Sequence, residues 1–147
     1  MEVMRLSEIS KGMTFPEYRY TLRADIIKTY LQAVEEKDPL YTDEVYAIRG
    51  PFGQLVVPPT TIAIYVTPSR VLKTIEKSPP PGMIQTGQRF EFYRPMKVGE
   101  TVSVHASIDD LYQKKGRDYV VLKGTSLNEA GKRAAVSYLI FIWPPQP

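Results

Sequence analysis

The sequence predicts an α+β domain in which helical segments come first and antiparallel strands follow. In the first half of the chain, apolar residues recur at helical spacing, whereas in the second half apolar and polar residues alternate as they do in half-buried strands. A proline-rich connector, residues 78–82, separates the two halves. This order predicts one antiparallel sheet wrapped around an apolar central helix.

The composition favours a single globular domain spanning residues 1–147. Hydrophobic residues make up 43% of the chain and charged residues 24%, as in folded domains. No apolar run reaches the roughly 20 residues that a membrane span needs, and the first residues lack the layout of a signal peptide, so we expect a cytoplasmic protein without membrane association. The chain has no cysteine, which excludes disulfides and thiolate metal sites. We expect neither a metal nor a cofactor.

The net charge of +3 comes from scattered basic residues. The densest basic group, residues 114–117, has the sequence Lys-Lys-Gly-Arg and predicts the exposed tip of a hairpin. Nucleic-acid binding would need a larger basic face with interleaved aromatic residues, and we do not expect it. A modest positive balance does suit a phosphate-bearing ligand.

The first predicted elements are an edge strand and a helix. Residues 13–20 predict an edge strand, because Pro16 cannot donate a hydrogen bond to a neighbouring strand. The following helix has Thr21 as its predicted N-cap and Asp25 near its positive end, and residues 38–39, Asp-Pro, are predicted to end it. Its apolar positions recur at helical spacing: Ile26, Ile27, Tyr30, Leu31 and Val34.

The central helix is predicted to start at Thr60, with Pro59 in its first turn, after a short helix over residues 42–48. Its next residues are apolar on nearly every side, so we expect it to be enclosed. Pro68 should break it, with Thr67 capping a second piece.

Strands are predicted over residues 88–93, 101–108, 118–127 and 133–143. Residues 128–131 predict a tight turn between the last two strands. The last strand is apolar on both faces, which predicts a central or covered position in the sheet.

Three segments carry a family resemblance: residues 27–43, residues 56–60 (Val-Val-Pro-Pro-Thr) and residues 87–102. The third, a strand followed by an Arg-Pro turn and a Gly-Glu restart, is the most specific. Together they resemble the MaoC-like acyl-thioester dehydratases, particularly the N-terminal dehydratase domains of yeast-type fatty-acid synthase and the non-catalytic subunits of heterodimeric dehydratases. The resemblance implies a hot-dog fold.

The resemblance also indicates which residues occupy the catalytic positions of the family. Active members of the family have an Asp and, five residues later, a His, on either side of an Asn-Pro. The matching residues here are Glu36-Lys37-Asp38-Pro39-Leu40-Tyr41, so Glu36 takes the carboxylate position and Tyr41 replaces the His. A His titrates near neutral pH and a Tyr does not, so its loss should remove most of the activity. The alternative to a role in the site is that Tyr41 is a packed aromatic residue of a loop and that Glu36 is a solvated carboxylate at the end of a helix.

The remaining candidate residues concern ligand binding. By resemblance, backbone N–H groups near Pro59, Thr60 and Thr61 bind the thioester, and Arg94 and Lys97 reach the phosphates of coenzyme A. Gly87 completes this predicted set. The only histidine, His105, falls on the polar face of a strand and is predicted to be a surface residue.

The leading prediction is an acyl-CoA-binding subunit of an enoyl-CoA hydratase or 3-hydroxyacyl-thioester dehydratase that depends on a catalytic hot-dog partner. Hot-dog domains usually pair, either as homodimers or as heteromers, and place a tunnel at the seam. One alternative is a homodimeric module that binds acyl-CoA without turnover. Another is an enzyme, either thioesterase-like or a hydratase that uses Glu36 and Tyr41.

Overall fold

An antiparallel sheet forms the main layer of the molecule. The computed structural model describes residues 1–145, so residues 146 and 147 of the predicted domain lie outside the described residues. Within residues 1–145 the sheet has five strands in the order β2-β5-β6-β7-β4, beside a two-stranded parallel pair, β1 with β3. The strands are β1 (Glu2–Val3), β2 (Tyr18–Thr21), β3 (Lys77–Ser78), β4 (Ile84–Phe92), β5 (Thr101–Lys114), β6 (Arg117–Leu127) and β7 (Arg133–Trp143).

The predicted strands are confirmed, with changes at their ends. The edge strand before the first helix is β2, which covers only the end of residues 13–20. Strand β4 begins at Ile84 rather than at residue 88, and β5 continues to Lys114. The predicted central position of β7 is confirmed, because β7 lies between β6 and β4. The alternation in β5 is confirmed by its buried residues, Val102, Val104, Ala106 and Ile108.

Both predicted turns of the second half are also confirmed. The amide of Asn128 donates to the carbonyl of Lys132 (2.8 Å) and closes the turn between β6 and β7. At the tip between β5 and β6, Lys115 and Gly116 have φ values of 52° and 72°. Such a turn has the twist that matches the flanking strands.

The helices are short, and no helix within residues 1–145 is long and apolar enough to cross a membrane. The short 3₁₀ turn Pro59–Thr61 leads into the central helix. The α-helices are α1 (Ala24–Ala33), α2 (Pro39–Thr42), α3 (Glu44–Ile48), α4 (Ile62–Tyr65) and α5 (Pro68–Lys73).

The predicted bounds of the first helix were wrong at both ends. Thr21 is not its N-cap, because the Thr21 hydroxyl lies 2.8 Å from that of Thr101 across β2 and β5, and the helix begins after Arg23. The helix stops at Ala33, well before Asp38, because Glu35 turns the chain with a φ of 56°. Asp38 instead caps α2, as its carboxylate accepts from the amide of Leu40.

The predicted break in the central helix is confirmed. Helix α4 ends before Pro68, which opens α5, and the Thr67 hydroxyl accepts from the amide of Arg70 at 3.3 Å.

We expect Thr67→Ala to lower the free energy of unfolding by about 1 kcal/mol, since the cap would be lost. Thermal or urea unfolding measures this change. Thr67→Ser is the control, since it keeps the capping hydroxyl, and an equal loss there would contradict the assigned cap.

The central helix packs closely on the sheet at Gly124 of β6. A Cβ added to Gly124 would collide with Cγ1 of Val66 and come within 3.0 Å of its Cγ2. Only a glycine therefore lets the helix approach β6 this closely.

The first residues are fixed to the end of the helical half. The Lys77 ammonium donates to the carboxylates of Glu2 (2.9 Å) and Glu8 (3.1 Å), beside the β1–β3 pair. Met4, which follows β1, is buried.

Candidate functional site

A pocket of about 700 Å³ lies between α1 and the segments that follow it, and we call it the α1 pocket. One face of α1 lines it, together with Leu55 and Val98. The walls are largely apolar, and charged side chains also line the pocket. Its lining residues from α1 onward are Ala24, Ile27, Lys28, Leu31, Gln32, Glu35, Glu36, Lys37, Tyr41 and Thr42.

The predicted pair Glu36 and Tyr41 meets in this pocket. The turn at Glu35 and the cap at Asp38 fold residues 34–38 back, so that Glu36 and Tyr41 both line one cavity. Oε1 of Glu36 accepts hydrogen bonds from the amides of Lys37 (3.1 Å) and Asp38 (3.0 Å). These bonds hold the carboxylate in one place, and its lone pairs remain able to accept a proton or to orient a water molecule.

Tyr41 is half-buried and lines the same pocket. Burial raises the pKa of its phenol, and the negative charges of Asp38 and Glu36 raise that pKa further. A phenol with a pKa above its usual value of about 10 stays protonated at neutral pH. Tyr41 can therefore donate a hydrogen bond there, but it is not a base.

The predicted thioester-binding residues lie elsewhere. Pro59 and Thr60 are exposed, and the Thr60 hydroxyl lies 2.8 Å from that of Tyr30 on α1. Tyr30 belongs to the face of α1 turned away from the α1 pocket, where a groove of about 480 Å³ runs between α1 and α4. Thr61 is buried, and its hydroxyl has no hydrogen-bond partner within residues 1–145. The structure does not bring Thr60 and Glu36 into one pocket.

The other three predicted ligand residues lie on or just after β4. Gly87 pairs with Ile140 next to a bulge. Arg94 donates from its guanidinium to the carbonyl of Arg133 at 2.8 Å. Lys97 is exposed and directly precedes Val98 of the α1 pocket, but neither Lys97 nor Gly87 lines that pocket.

His105 is a surface residue, as predicted. It is about half exposed, and its Nε2 lies 3.7 Å from the carboxylate of Glu17. Within residues 1–145, no group of three or more His, Cys, Asp or Glu side chains is arranged to hold a metal ion.

Sequence reasoning missed the pocket-lining role of one face of α1. The face is formed by Ala24, Ile27, Lys28, Leu31, Gln32 and Glu35. The signal was present, because these positions recur at helical spacing. Lys28, a charged residue between Ile27 and Leu31 on this face, was the feature that could have indicated a pocket there.

Residues 10–136 match the family described as the FAS1-like dehydratase domain region. A UPF0336 protein of Streptomyces avermitilis is 23% identical over 91% of this chain and 92% of that protein. A 3-hydroxybutyryl-CoA dehydratase of Methylorubrum extorquens is 24% identical over 90% of this chain and 88% of that protein.

Solved structures share the fold. A MaoC-like dehydratase from Rhodospirillum rubrum superposes with a TM-score of 0.76 and 22% identity over 98% of this chain and 99% of that one. The HadBC 3R-hydroxyacyl-ACP dehydratase complex of Mycobacterium tuberculosis gives a TM-score of 0.78 and 22% identity over 90% of this chain and 96% of that one. The predicted hot-dog architecture is therefore confirmed. The chain belongs to the FAS1-like dehydratase-region family of MaoC-like hot-dog proteins.

Proposed function

We propose that this protein binds an acyl thioester in the α1 pocket as a subunit of an enoyl-thioester hydratase or 3-hydroxyacyl-thioester dehydratase, and that a hot-dog partner supplies the missing catalytic histidine. The observation that carries the proposal is the meeting of Glu36 and Tyr41 in one largely apolar pocket. The cytoplasmic location predicted from the sequence is part of this proposal.

The chemistry explains the need for a partner. Hydration of an enoyl thioester requires a base that activates water and an acid that protonates the α carbon. In this proposal the Glu36 carboxylate orients the water. Tyr41 is held protonated by burial and by its neighbouring carboxylates, which raise its pKa, so it does not exchange protons readily near neutral pH. One of the two proton transfers therefore lacks a suitable group in this pocket.

The free edge of β4 supports pairing with a second hot-dog domain. Strand β4 is nine residues long and lies at the edge of the sheet, whereas β2 at the other edge has four residues. Large apolar side chains at β4 are exposed: Ile84 is 55% exposed, Phe92 47% and Tyr93 42%. An unpaired strand edge with apolar ends favours addition of another strand. HadBC is itself a complex, and so is the ChsH1–ChsH2 structure that superposes with a TM-score of 0.70.

Crotonyl-CoA hydration tests the proposal. The purified chain should bind crotonyl-CoA but turn it over slowly or not at all, and addition of a hot-dog subunit that carries the Asp and His motif should produce hydration. Glu36→Gln in this chain should then leave the complex assembled. Rapid turnover by the purified chain, abolished by Glu36→Gln, would contradict partner dependence. Failure to bind any acyl-CoA would contradict the binding role.

We expect Phe92→Glu to break the pairing at β4, because a charge would be buried in the new contact. Size-exclusion chromatography with light scattering should show the wild-type chain, alone or with its partner, at about twice the mass of the variant. Tyr112→Glu is a matched control, since Tyr112 is 37% exposed but lies on β5, away from the β4 edge. If both variants keep the wild-type mass, pairing does not use β4.

A further inference from the structure

The face of α1 that lines the α1 pocket carries two kinds of side chain. Ile27 and Leu31 are buried and form an apolar stripe. Lys28, Gln32 and Glu35 line the same pocket but are exposed, so they belong to its solvent-exposed part, which we call the rim. Residues three and four positions apart are neighbours on a helix, so these three side chains form a polar stripe beside the apolar one. A ligand in the pocket would therefore contact apolar surface with its buried part and polar groups with its exposed part.

Lys28 is the cation of this polar stripe, and its charge is not neutralised by an ion pair. Within residues 1–145, no carboxylate forms an ion pair with its ammonium. Asp25, one turn earlier on α1, is bound instead to the guanidinium of Arg23 at 2.8 Å, and it lines the α1–α4 groove. The stem of a lysine can lie along apolar surface while its ammonium stays in water. The Lys28 ammonium is therefore free to pair with an anionic group of a bound ligand.

The other candidate cations are less suited to this role. Lys37 also lines the pocket, but the carboxylate of Glu36 accepts from its amide at 3.1 Å, so a negative charge lies beside it. The sequence predicted Arg94 and Lys97 for the phosphates of coenzyme A, yet neither lines the α1 pocket. Arg94 is bonded instead to a carbonyl of β7. Of the two lysines that line the pocket, Lys28 is thus the one without such a neighbouring carboxylate.

We propose that Lys28 selects ligands that carry an anionic group at the rim of the α1 pocket, as a specificity-determining residue of the acyl-thioester site. The inference rests on the proposed function, because it takes the α1 pocket as that site. Two parts of an acyl thioester can supply the anion. One is a phosphate of the thiol carrier, as in coenzyme A, and the other is a carboxylate on the acyl group. Lys28 acts by its charge and takes no part in proton transfer.

Three probes separate these two sources by calorimetry. Crotonyl-CoA carries phosphates only, glutaconyl-pantetheine carries a carboxylate only, and crotonyl-pantetheine carries neither. At low salt, Lys28→Met should weaken the binding of at least one anionic probe about two- to fivefold, the usual strength of an exposed ion pair, and should leave crotonyl-pantetheine unchanged. A loss with crotonyl-CoA assigns the anion to the thiol carrier, and a loss with glutaconyl-pantetheine assigns it to the acyl group.

Salt and matched variants provide further measurements. The difference between the wild type and Lys28→Met should disappear as the Debye length falls from about 30 Å at 0.01 M salt to about 3 Å at 1 M. Lys28→Arg keeps the charge and should bind as the wild type does, whereas Lys28→Glu should bind more weakly than Lys28→Met. Lys73→Met is the control for net charge, since Lys73 is an exposed lysine on α5 that does not line the pocket.

The outcomes separate this inference from the proposed function. If Lys28→Met binds all three probes as the wild type does, or if Lys73→Met loses as much affinity, Lys28 does not select an anion, while the acyl-thioester site stands. If crotonyl-pantetheine is weakened as much as the anionic probes, the lysine stem contributes rather than its charge, and the inference is overturned. If the wild-type chain binds none of the probes, the proposed function itself is overturned, and this inference with it.

Discussion

Replacing Tyr41 with histidine is expected to raise the rate of crotonyl-CoA hydration by the purified chain about 10²-fold or more, because a positioned acid–base group typically contributes that much. Position 41 lines the same pocket as Glu36, so the new imidazole would stand beside the carboxylate that the structure already holds in place. The rate of hydration, followed by the loss of enoyl absorbance, measures the gain.

The pH profile gives this prediction a second measurement. In the wild-type chain the raised pKa of Tyr41 lies above the assay range, so Tyr41 contributes no titration between about pH 6 and 9. The variant should acquire a pH dependence near the pKa of an imidazole, about 6.5 or somewhat higher beside two carboxylates. Tyr46→His, at an exposed tyrosine outside the pocket, is the matched control. A gain in both variants would show that position 41 has no special role.

Gly124→Ala is expected to lower the free energy of unfolding by about 1–3 kcal/mol, the usual cost of overpacking a core. The new methyl group would meet Val66, whose branched side chain has little rotamer freedom, so α4 would have to move away from β6. Urea unfolding monitored by circular dichroism measures the loss.

A double-mutant cycle establishes the cause of that loss. Val66→Ala alone should also destabilise the protein, because it removes buried methyl groups. In Val66→Ala combined with Gly124→Ala, the two changes should compensate in part, and the coupling energy should be about 1 kcal/mol or more. Strict additivity would contradict the contact between Val66 and Gly124. Gly87→Ala is the comparison on β4, where an added carbon has an ordinary contact of 3.5 Å with Ile140.

The order and type of the elements were predictable because local patterns carry them. The alternation in residues 101–108 predicted the buried face of β5, and Pro68 predicted the break in the central helix. Both predictions are confirmed. The ends of α1 were not predictable in this way. Thr21 fits an N-cap locally, but pairing of β2 with β5 takes it into the sheet, and that pairing joins residues 80 positions apart.

The candidate site was predictable only in part. The resemblance brought together Glu36 and Tyr41, which are close in sequence, and their shared pocket is what the structure has. Thr60 was assigned to the same site, yet its hydroxyl meets Tyr30 on the other face of α1. Which face of a helix borders a cavity depends on the packing of distant segments, here Leu55 and Val98, and this packing leaves no local signal at Thr60.

The pairing of β1 with β3 bears on the lifetime of the folded state. The Lys77 contacts join side chains 75 and 69 positions apart, and β1 and β3 pair over only two residues each, so few contacts repay the entropy of closing that loop. We therefore expect this pair to form after the rate-limiting step of folding. Contacts of that kind slow unfolding and leave the folding rate almost unchanged. The first residues of the chain would then govern how long the domain survives between unfolding events, while the sheet and central helix govern how quickly it folds.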